Sequence, residues 1–286
     1  MTEPGTAPST PPTPYDVSRA ADYWGGSRHE GADELAAVLS RGEPAHVNAA
    51  YDAWEAGVLG DALFEAQGAP ESGRGLDLAC GVGRISVRLS PRVRRLACGD
   101  LAAGMLRRLR QNAASSHVTN LDPLRLRSDR LPFRDGAFTL AVCLGLLEHL
   151  PPDVRRATVA ELKRVLAPGG VLALVLNNDE SRFLQDPADN PHRIASQREN
   201  GYYCAVVKQR ELLAEAAADF RERMLGSNLF YSLQRHASRA LPEEGRRDPR
   251  LAPFFKRAAL MDRALRPAGA MANAAADHHL HLLVRR

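Results

Sequence analysis

The chain has 286 residues, 44% hydrophobic and 25% charged, and its 38 basic and 34 acidic side chains give a net charge of +4. These proportions exclude a wholly disordered chain, a collagen-like fibre and a coiled coil. No run reaches the ~18 consecutive apolar residues of a membrane span, and the N-terminus has neither region of a secretory signal. We therefore expect a cytoplasmic protein without a membrane span.

The four cysteines form no metal-binding or disulfide pattern. They are far apart, sit mostly among apolar residues and include no C-x-x-C pair. This distribution favours free thiols in a reducing compartment and argues against a disulfide framework or a zinc site. Their positions are Cys80, Cys98, Cys143 and Cys204.

The first part of the chain divides into a tail and a helical segment. Residues 1–14 are rich in Pro, Thr and Ser with almost no apolar side chains, which predicts a disordered tail. Apolar residues at helical spacing then predict an N-terminal helical lid over residues 15–67. A polar stretch with glycine and proline follows and opens a second region, residues 68–286.

In residues 68–286, short apolar runs alternate with amphipathic segments. Such alternation predicts an α/β fold with a mostly parallel sheet and helices on both faces. Two insertions interrupt the alternation, near 179–208 and 234–277, and the second is helical. The predicted strands are 75–80, 95–98, 124–126, 138–144, 171–176, 224–233 and 278–284, and the predicted helices lie near 102–113, 153–166, 209–220 and 251–265.

The most informative segment is Gly75–Arg84, in which a strand runs into a glycine turn that opens a helix. Glycines permit positive φ and a close approach of the backbone to a ligand, and the helix start offers free N–H groups. A dinucleotide fingerprint is matched only in part, by Gly81, Gly83 and Ser86. Asp77 distinguishes a dinucleotide from a ligand with a cationic ammonium group, because a carboxylate there would repel a pyrophosphate and attract the ammonium.

This segment, DLACGVGR, resembles the first motif of the class I S-adenosylmethionine-dependent methyltransferases. The acid of that motif corresponds to Asp77. Its glycine triad falls on Ala79, Gly81 and Gly83, so that alanine replaces one glycine. The resemblance implies that S-adenosylmethionine is the cofactor and that these residues, with the intervening Cys80, bind it.

The next two motifs of the family follow in order. The acid that binds the ribose hydroxyls corresponds to Asp100, and the resemblance implies that Leu101 and Met105 flank the adenine. The loop that hydrogen-bonds the adenine edge corresponds to SDRLPF, where Ser128 or Asp129 takes that role. Neither residue stands at the family's usual acidic position.

The end of the fourth strand, FTLAVCLGLLEHL, and the turn LKRVLAPGG complete a resemblance that covers roughly residues 72–178. It implies that Cys143 and Leu144 line the cofactor. His149 follows this strand near the expected acceptor, and a histidine suits proton removal near neutral pH. His149 is therefore a candidate catalytic residue, with core packing as the alternative role.

The resemblance also implies a Rossmann-like, seven-stranded fold, with N-terminal helices over the cofactor and methyl transfer to an O, N or C atom. Fourth-strand and cysteine motifs typical of nucleobase methylation are absent from the sequence, so we expect a small-molecule acceptor, such as a natural-product or lipid-like intermediate. Two alternatives stay open: an RNA or protein methyltransferase, and a non-methylating protein that binds S-adenosylmethionine on the same fold. A dinucleotide-dependent oxidoreductase is a more distant alternative.

Two clusters could indicate other ligands. Six arginines lie between Arg92 and Arg110, but no aromatic residue interleaves with them as in a binder of single-stranded nucleic acid. We expect a solvated basic face there and no nucleic-acid partner. His278, His279 and His281 could suggest a metal, but no cysteine or further acid completes a ligand set, and we expect no metal site.

Overall fold

The computed structural model describes residues 15–26, 34–40, 42–67, 73–183 and 202–286. The predicted tail, residues 1–14, and much of the insertion predicted near 179–208 lie outside this part of the chain. Within the described ranges, no helix combines the length and the apolar character that crossing a membrane requires.

A seven-stranded sheet forms the centre of the molecule. Its strands are β1 (Arg74–Leu78), β2 (Arg95–Asp100), β3 (Leu121–Arg125), β4 (Phe138–Leu144), β5 (Leu166–Asn177), β6 (Phe220–Ser227) and β7 (His278–Arg285). Their order in space is β3-β2-β1-β4-β5-β7-β6. The first five strands are parallel, and β7 runs antiparallel to both β5 and β6. The predicted seven-stranded, mostly parallel sheet is confirmed.

The two central strands explain where a ligand can bind. β4 is a nearly continuous apolar run and four of the five residues of β1 are buried, as expected of parallel strands covered on both faces. Leu76 and Leu140 are fully buried. β1 pairs with β2 on one side and with β4 on the other, so the strand order reverses between β1 and β4. Ligands of such sheets bind beyond the carboxyl ends of the strands at this reversal.

Helices cover both faces of the sheet, as predicted. The helices are α1 (Val17–Gly25), α2 (Glu34–Val38), α3 (Ala45–Gln67), α4 (Arg84–Leu89), α5 (Ala103–Ser115), α6 (Pro152–Val165), α7 (Gln209–Ala216), α8 (Leu229–Ser238), α9 (Glu243–Arg246), α10 (Ala252–Leu265) and α11 (Ala270–Ala275). One apolar core joins Leu59 of α3, Leu109 of α5 and Phe255 of α10 to the sheet, and a second joins Leu162 of α6 and Leu212 of α7 to the opposite face. The N-terminal helices and the helical insertion before the last strand are therefore present.

The elements around β6 differ from the predicted ones. The helix predicted for 209–220 ends at Ala216, β6 begins at Phe220, and the strand predicted for 224–233 is wrong beyond Ser227 because α8 begins at Leu229. A short apolar run does not distinguish a strand from a buried helix.

The start of α8 is helical because a carboxylate on α10 caps it. The carboxylate of Asp262 accepts hydrogen bonds from the backbone N–H groups of Phe230 and Tyr231, each at 2.8 Å. It thereby satisfies two of the N–H groups that a helix start leaves without an intrahelical partner. The sequence around α8 does not contain this acceptor, which lies 31 residues beyond Tyr231.

Candidate functional site

A cavity opens beyond the carboxyl ends of β1, β2 and β4. Its free space measures about 1140 Å³, solvent at the mouth included. Tyr15, Trp24 and Val38 of the N-terminal segment close one side. Most of the predicted site residues also line it, namely Asp77, Ala79, Cys80, Gly81, Asp100, Leu101, Met105, Ser128, Asp129, Leu144 and His149.

The turn between β1 and α4 forms the floor of this cavity. Ala79, Gly81 and Gly83 all have left-handed backbones, with φ of 62°, 55° and 84°. Ala79 is the position at which the resembling motif has a glycine, and an L-residue adopts this conformation only at a cost in strain. A Cβ on Gly83 would lie 2.9 Å from Cγ of Leu109. Gly83 therefore serves the packing of the turn on α5.

Asp77 is buried at the base of the cavity. Its carboxylate accepts a hydrogen bond of 2.6 Å from the Ser86 hydroxyl. Burial raises the pKa of Asp77 to about 6, against the lowering effect of the Ser86 hydrogen bond. A buried carboxyl with this pKa gains most from a ligand that brings a positive charge.

Asp100 ties the turn after β1 to the turn after β2. One carboxylate oxygen accepts from the backbone N–H of Gly81 at 2.9 Å, and the other accepts from Ala102 at 2.8 Å. Burial raises the pKa of Asp100, and these backbone hydrogen bonds act in the opposite direction. Each oxygen retains a second acceptor position, which suits a ligand with two adjacent hydroxyl groups.

Ser128 and Asp129 form the wall of the cavity beyond β3. The Asp129 carboxylate receives two hydrogen bonds from Arg127, of 2.9 and 2.6 Å, and these lower the pKa of Asp129. The Ser128 hydroxyl lies 2.9 Å from the hydroxyl of Thr158. Both side chains are therefore engaged by protein, although both residues reach the cavity.

Two of the predicted site residues do not line the cavity. Cys143 is buried in the apolar core beside Leu174, because neighbouring strand residues point to opposite faces and Leu144 takes the cavity side. Gly83 lies behind the turn, as the N-cap residue directly before α4.

His149 lies at the cavity wall inside a group of aromatic rings. Its ring is 5.0 Å from that of Trp24 and 5.4 Å from that of Tyr202. Nδ1 lies 2.9 Å from the carbonyl oxygen of Tyr203. A carbonyl only accepts hydrogen bonds, so Nδ1 carries a proton and donates it. Burial lowers the pKa of His149, but a hydrogen bond with Cys204 and the charge of Glu148 outweigh it, and the net shift is upward.

Arg84 is a cavity residue to which the sequence assigned no role. Its guanidinium is 2.9 Å from Asp52 and also pairs with Glu55, both on α3. These carboxylates raise the pKa of Arg84 further above its already high value against the effect of burial. The available signal was its position directly after the glycine turn, but its partners lie about 30 residues earlier and no local pattern indicates them.

A second group of polar side chains lies next to the cavity, at the ends of β4 and β7. Glu148 Oε1 is 3.9 Å from the position a Cβ would take on Gly145, which lines the cavity. The ring of Tyr51 is 5.3 Å from that of His278, and the Tyr51 hydroxyl is 3.4 Å from Glu55. All three side chains, Tyr51, Glu148 and His278, are half-buried.

The tautomer of His278 is fixed by Asn228. The amide oxygen of Asn228 accepts from the backbone N–H groups of Asp277 and His278 and from the Ser232 hydroxyl. The Asn228 NH₂ group must therefore face Nδ1 of His278, at 3.3 Å. Burial lowers the pKa of His278, so the ring is neutral at pH 7 and carries its proton on Nε2.

The other two histidines of β7 contact polar side chains of neighbouring elements. His279 and His281 share one face of the strand, as predicted, with rings 6.1 Å apart. His281 contacts Glu222 at 2.8 Å and Gln209 at 3.1 Å, and Gln209 also contacts His279. Over the described ranges of the chain, no group of three or more His, Cys, Asp or Glu residues could hold a metal ion.

Comparison with known proteins agrees with this geometry. Residues 76–170 match a family model described as a methyltransferase domain. The chain is 37% identical over 108 residues to YqeM of Bacillus subtilis, a protein provisionally named as a methyltransferase, and the match covers 36% of this chain and 42% of YqeM. It is 29% identical over 122 residues to Rv0089 of Mycobacterium tuberculosis, an uncharacterised methyltransferase, covering 43% of this chain and 59% of that protein. The chain thus spans about half the length of the curated relatives it matches.

Solved structures share the fold over nearly the whole chain. Geranyl diphosphate C-methyltransferase from Streptomyces coelicolor, in complex with S-adenosylhomocysteine, has a TM-score of 0.56 and 17% identity, covering 96% of this chain and all of that one. Magnesium protoporphyrin IX methyltransferase from Synechocystis, with bound S-adenosylmethionine, has a TM-score of 0.55 and 13% identity, covering 98% and 100%.

Residues 76–170 form a methyltransferase domain, and the chain has the Rossmann-like fold of the two solved methyltransferases. The turn after β1 and the acids near the carboxyl ends of β1 and β2, Asp77 and Asp100, are parts of this domain. The cavity holds the residues that the sequence resemblance assigned to S-adenosylmethionine, apart from Cys143 and Gly83.

Proposed function

We propose that the protein transfers a methyl group from S-adenosylmethionine to a small-molecule acceptor. The observation that carries the proposal is the pair of buried carboxylates, Asp77 and Asp100, in one cavity at the reversal of strand order. S-adenosylmethionine combines an ammonium group, a sulfonium group and a ribose diol without a phosphate. Two acids in that position suit this ligand and would repel a dinucleotide pyrophosphate.

Different cavity residues would bind different parts of the cofactor. Asp77 would hold the ammonium group and Asp100 the ribose hydroxyls, through the acceptor positions that its backbone hydrogen bonds leave open. Leu101 and Met105 would pack against the adenine. The Arg84 guanidinium, buried between α3 and the cavity, offers a positive charge for the methionine carboxylate.

Further predicted contacts concern the adenine edge and the cavity wall. Ser128 and Asp129 line the cavity where the adenine edge is expected, and Ala79, Cys80, Gly81 and Leu144 provide backbone and apolar surface. When bound, the cofactor supplies a methyl group that is already activated, so much of the rate comes from holding the acceptor in line with it.

A small-molecule acceptor fits the enclosure of the site. The cavity wall includes Tyr15 and Trp24 from the N-terminal segment and His149, which contacts Tyr202 and Tyr203, so the N-terminal segment and residues 202–203 cover part of the site. The two fold relatives named above methylate, according to their names, geranyl diphosphate and magnesium protoporphyrin IX. Both are small molecules with large apolar parts.

We further propose that Glu148, and not His149, takes the proton that a hydroxyl or amine acceptor releases. Nδ1 of His149 donates to the Tyr203 carbonyl and the ring also contacts Cys204, so its contacts position the cavity wall. The Glu148 carboxylate, in contrast, is half-buried beside Gly145 and makes no hydrogen bond to any of the described residues. We propose that Tyr51 and Nε2–H of His278, which both interact electrostatically with Glu148, orient the acceptor.

The test uses S-adenosylmethionine labelled in its methyl group, offered with small-molecule extracts, RNA and peptide pools. We expect label in the small-molecule fraction. Glu148→Gln should lower the transfer rate about 100-fold or more, as loss of a general base does, with unchanged cofactor affinity. Asp153→Asn, an exposed neighbouring carboxyl, is the matched control. Label in RNA or peptides alone would overturn the small-molecule acceptor, and tight cofactor binding without any transfer would indicate a non-methylating protein.

A further inference from the structure

The outer face of α10 carries an unusual number of exposed apolar side chains. Phe254 and Leu260 are each 53% exposed, Met261 is 43% exposed and Leu265 is 63% exposed. Met271, at the start of the neighbouring helix α11, is 70% exposed. Single exposed apolar residues are common on protein surfaces, but a contiguous group of this size marks an interaction site.

The exposure does not come from a loosely attached helix. The inner face of α10 is firmly packed, with Phe255 fully buried and Ala259 nearly so. Asp262 on the same face is fully buried and caps the start of α8 through two backbone hydrogen bonds. α10 is therefore a rigid support that holds its outer face toward solvent.

The outer face is also basic and contains no acid. Lys256, Arg257 and Arg263 are exposed on it, interspersed with the apolar side chains. The one acidic residue of the helix, Asp262, is on the buried face. Arg263 pairs with Asp61 of α3, whereas Lys256 and Arg257 have no carboxylate partner among the described residues.

A shallow depression next to this face adds to its positive charge. It lies between α3 and α10 and is lined by Asp61, Leu260, Arg263, Ala264 and Arg266. Two guanidinium groups share the one carboxylate there, with Arg263 at 2.8 Å and Arg266 at 4.0 Å from Asp61. The depression therefore keeps a net positive charge beside an apolar side chain.

We propose that the outer face of α10 docks on the surface of an anionic lipid membrane. An amphipathic helix lies in a membrane interface when apolar side chains enter the acyl boundary and lysines and arginines meet the headgroups. Each basic side chain near an anionic surface adds to the attraction. The four apolar and three basic side chains of the outer face match both parts of that requirement on one rigid helix.

A second copy of the chain is a poorer partner for the same face. A two-fold contact places a surface against itself, so Lys256 and Arg257 would face residues of the same outer face of the other copy, on which no acid is exposed. An anionic bilayer removes this repulsion. The docking is independent of the proposed reaction, because no residue of the face belongs to the cofactor cavity.

The experiment measures binding of the full chain to vesicles by sedimentation. Vesicles of phosphatidylcholine alone are compared with vesicles that contain 30% phosphatidylglycerol, a fraction chosen on the order of that in anionic membranes. We expect binding to the anionic vesicles to be at least about tenfold stronger and to weaken with salt. Lys256→Glu with Arg257→Glu, and separately Leu260→Ser with Leu265→Ser, should each lower that binding about tenfold or more.

Controls separate the face from general effects of charge and folding. Arg107→Glu with Arg110→Glu changes two exposed arginines of α5, and Leu124→Ser changes an exposed leucine of β3. These should bind vesicles like the wild type, and all variants should keep the wild-type affinity for S-adenosylmethionine in calorimetric titration. Equal binding to both kinds of vesicle, no binding to either, or equal loss in the α5 controls would overturn the proposal. A concentration-dependent dimer in light scattering that the α10 variants abolish would assign the face to a second copy instead.

Discussion

The region around the cofactor cavity and the region after residue 202 are held together over very different distances along the chain. In the first region, Ser86 binds Asp77 nine residues away and Asp100 binds Gly81 nineteen residues away. In the second, Arg246 binds Glu43 across 203 residues. The cofactor cavity is therefore built mainly from local motifs, whereas the region after residue 202 depends on polar partners that are distant in the chain.

The distant partners of the second region are organised around two buried carboxylates. Glu43 pairs with Arg235 at 2.9 Å, with Arg246 at 2.7 Å and with Arg239 at 3.2 Å. Asp277 pairs with the same Arg235 and with His236. Burial would raise the pKa of Glu43, but Arg235 and its neighbours outweigh that effect and lower it. These contacts link the chain before α3 to the helical insertion.

The largest expected effect is a loss of stability in the second region that leaves cofactor binding in the first region unchanged. Glu43→Ala leaves three arginine side chains facing one another without their shared carboxylate, and the loss of one partner of a buried pair costs about 3 kcal/mol. We expect a fall of that size in the free energy of unfolding, measured in urea, with unchanged affinity for S-adenosylmethionine at a temperature where the variant is folded. A loss of cofactor affinity as large as the loss of stability would show that the two regions are not separable.

The next effect concerns the start of α8. Asp262→Ala removes the acceptor of two backbone N–H groups, which are then buried without partners. We expect a loss of stability of about 2 kcal/mol, and hydrogen exchange of the Phe230 and Tyr231 amides should accelerate. Asp262→Asn keeps one acceptor oxygen and should lose less. Equal stabilities of the two variants would argue that packing, and not capping, is the function of this side chain.

A smaller effect is expected in the pH dependence of cofactor affinity in the first region. Burial raises the pKa of Asp77 to about 6, and a cationic ligand binds its ionised form. Cofactor affinity should therefore be constant above pH 7 and fall about tenfold for each pH unit below 6, because the carboxyl must then lose a proton before binding. Calorimetric titration from pH 5 to 8 measures this, and Asp77→Asn should flatten the profile. A flat wild-type profile would contradict the role of Asp77.

The smallest effect lies at the boundary between the regions. Arg84 and Arg88 both bind Asp52, but the Arg88 side chain is 48% exposed and that of Arg84 only 12%. An exposed ion pair contributes at most about 1 kcal/mol, so Arg88→Ala should change the unfolding midpoint only slightly and leave cofactor affinity intact. Arg84→Ala, measured alongside, should reduce both. Similar results for the two variants would contradict the distinction between cavity and surface.

The same comparison explains what the sequence could predict. The turn after β1, Asp77 and Asp100 were found because each lies in a short motif at the end of a predicted strand, and local geometry carries them into the cavity. β4 was predicted with its exact limits because its long apolar run lies between two turn glycines of positive φ, Gly136 and Gly145.

The parts that were missed depend on contacts that no local pattern contains. The first half of α8, residues 229–233, was predicted as part of a strand because its capping acceptor, Asp262, lies on another helix. Arg84 stood in the motif, but the carboxylates that hold it belong to α3. Cys143 and Leu144 were assigned together, although alternation along β4 brings only Leu144 to the cavity.

The most direct test of the account is a calorimetric titration of the wild type and of Asp100→Ala with S-adenosylmethionine, with NADH as the competing ligand. We predict that the wild type binds S-adenosylmethionine and not NADH. Asp100→Ala should bind S-adenosylmethionine about 5- to 150-fold more weakly, the loss expected when buried polar groups lose a partner. Binding of NADH without S-adenosylmethionine, or unchanged affinity in Asp100→Ala, would contradict the assignment of the cavity.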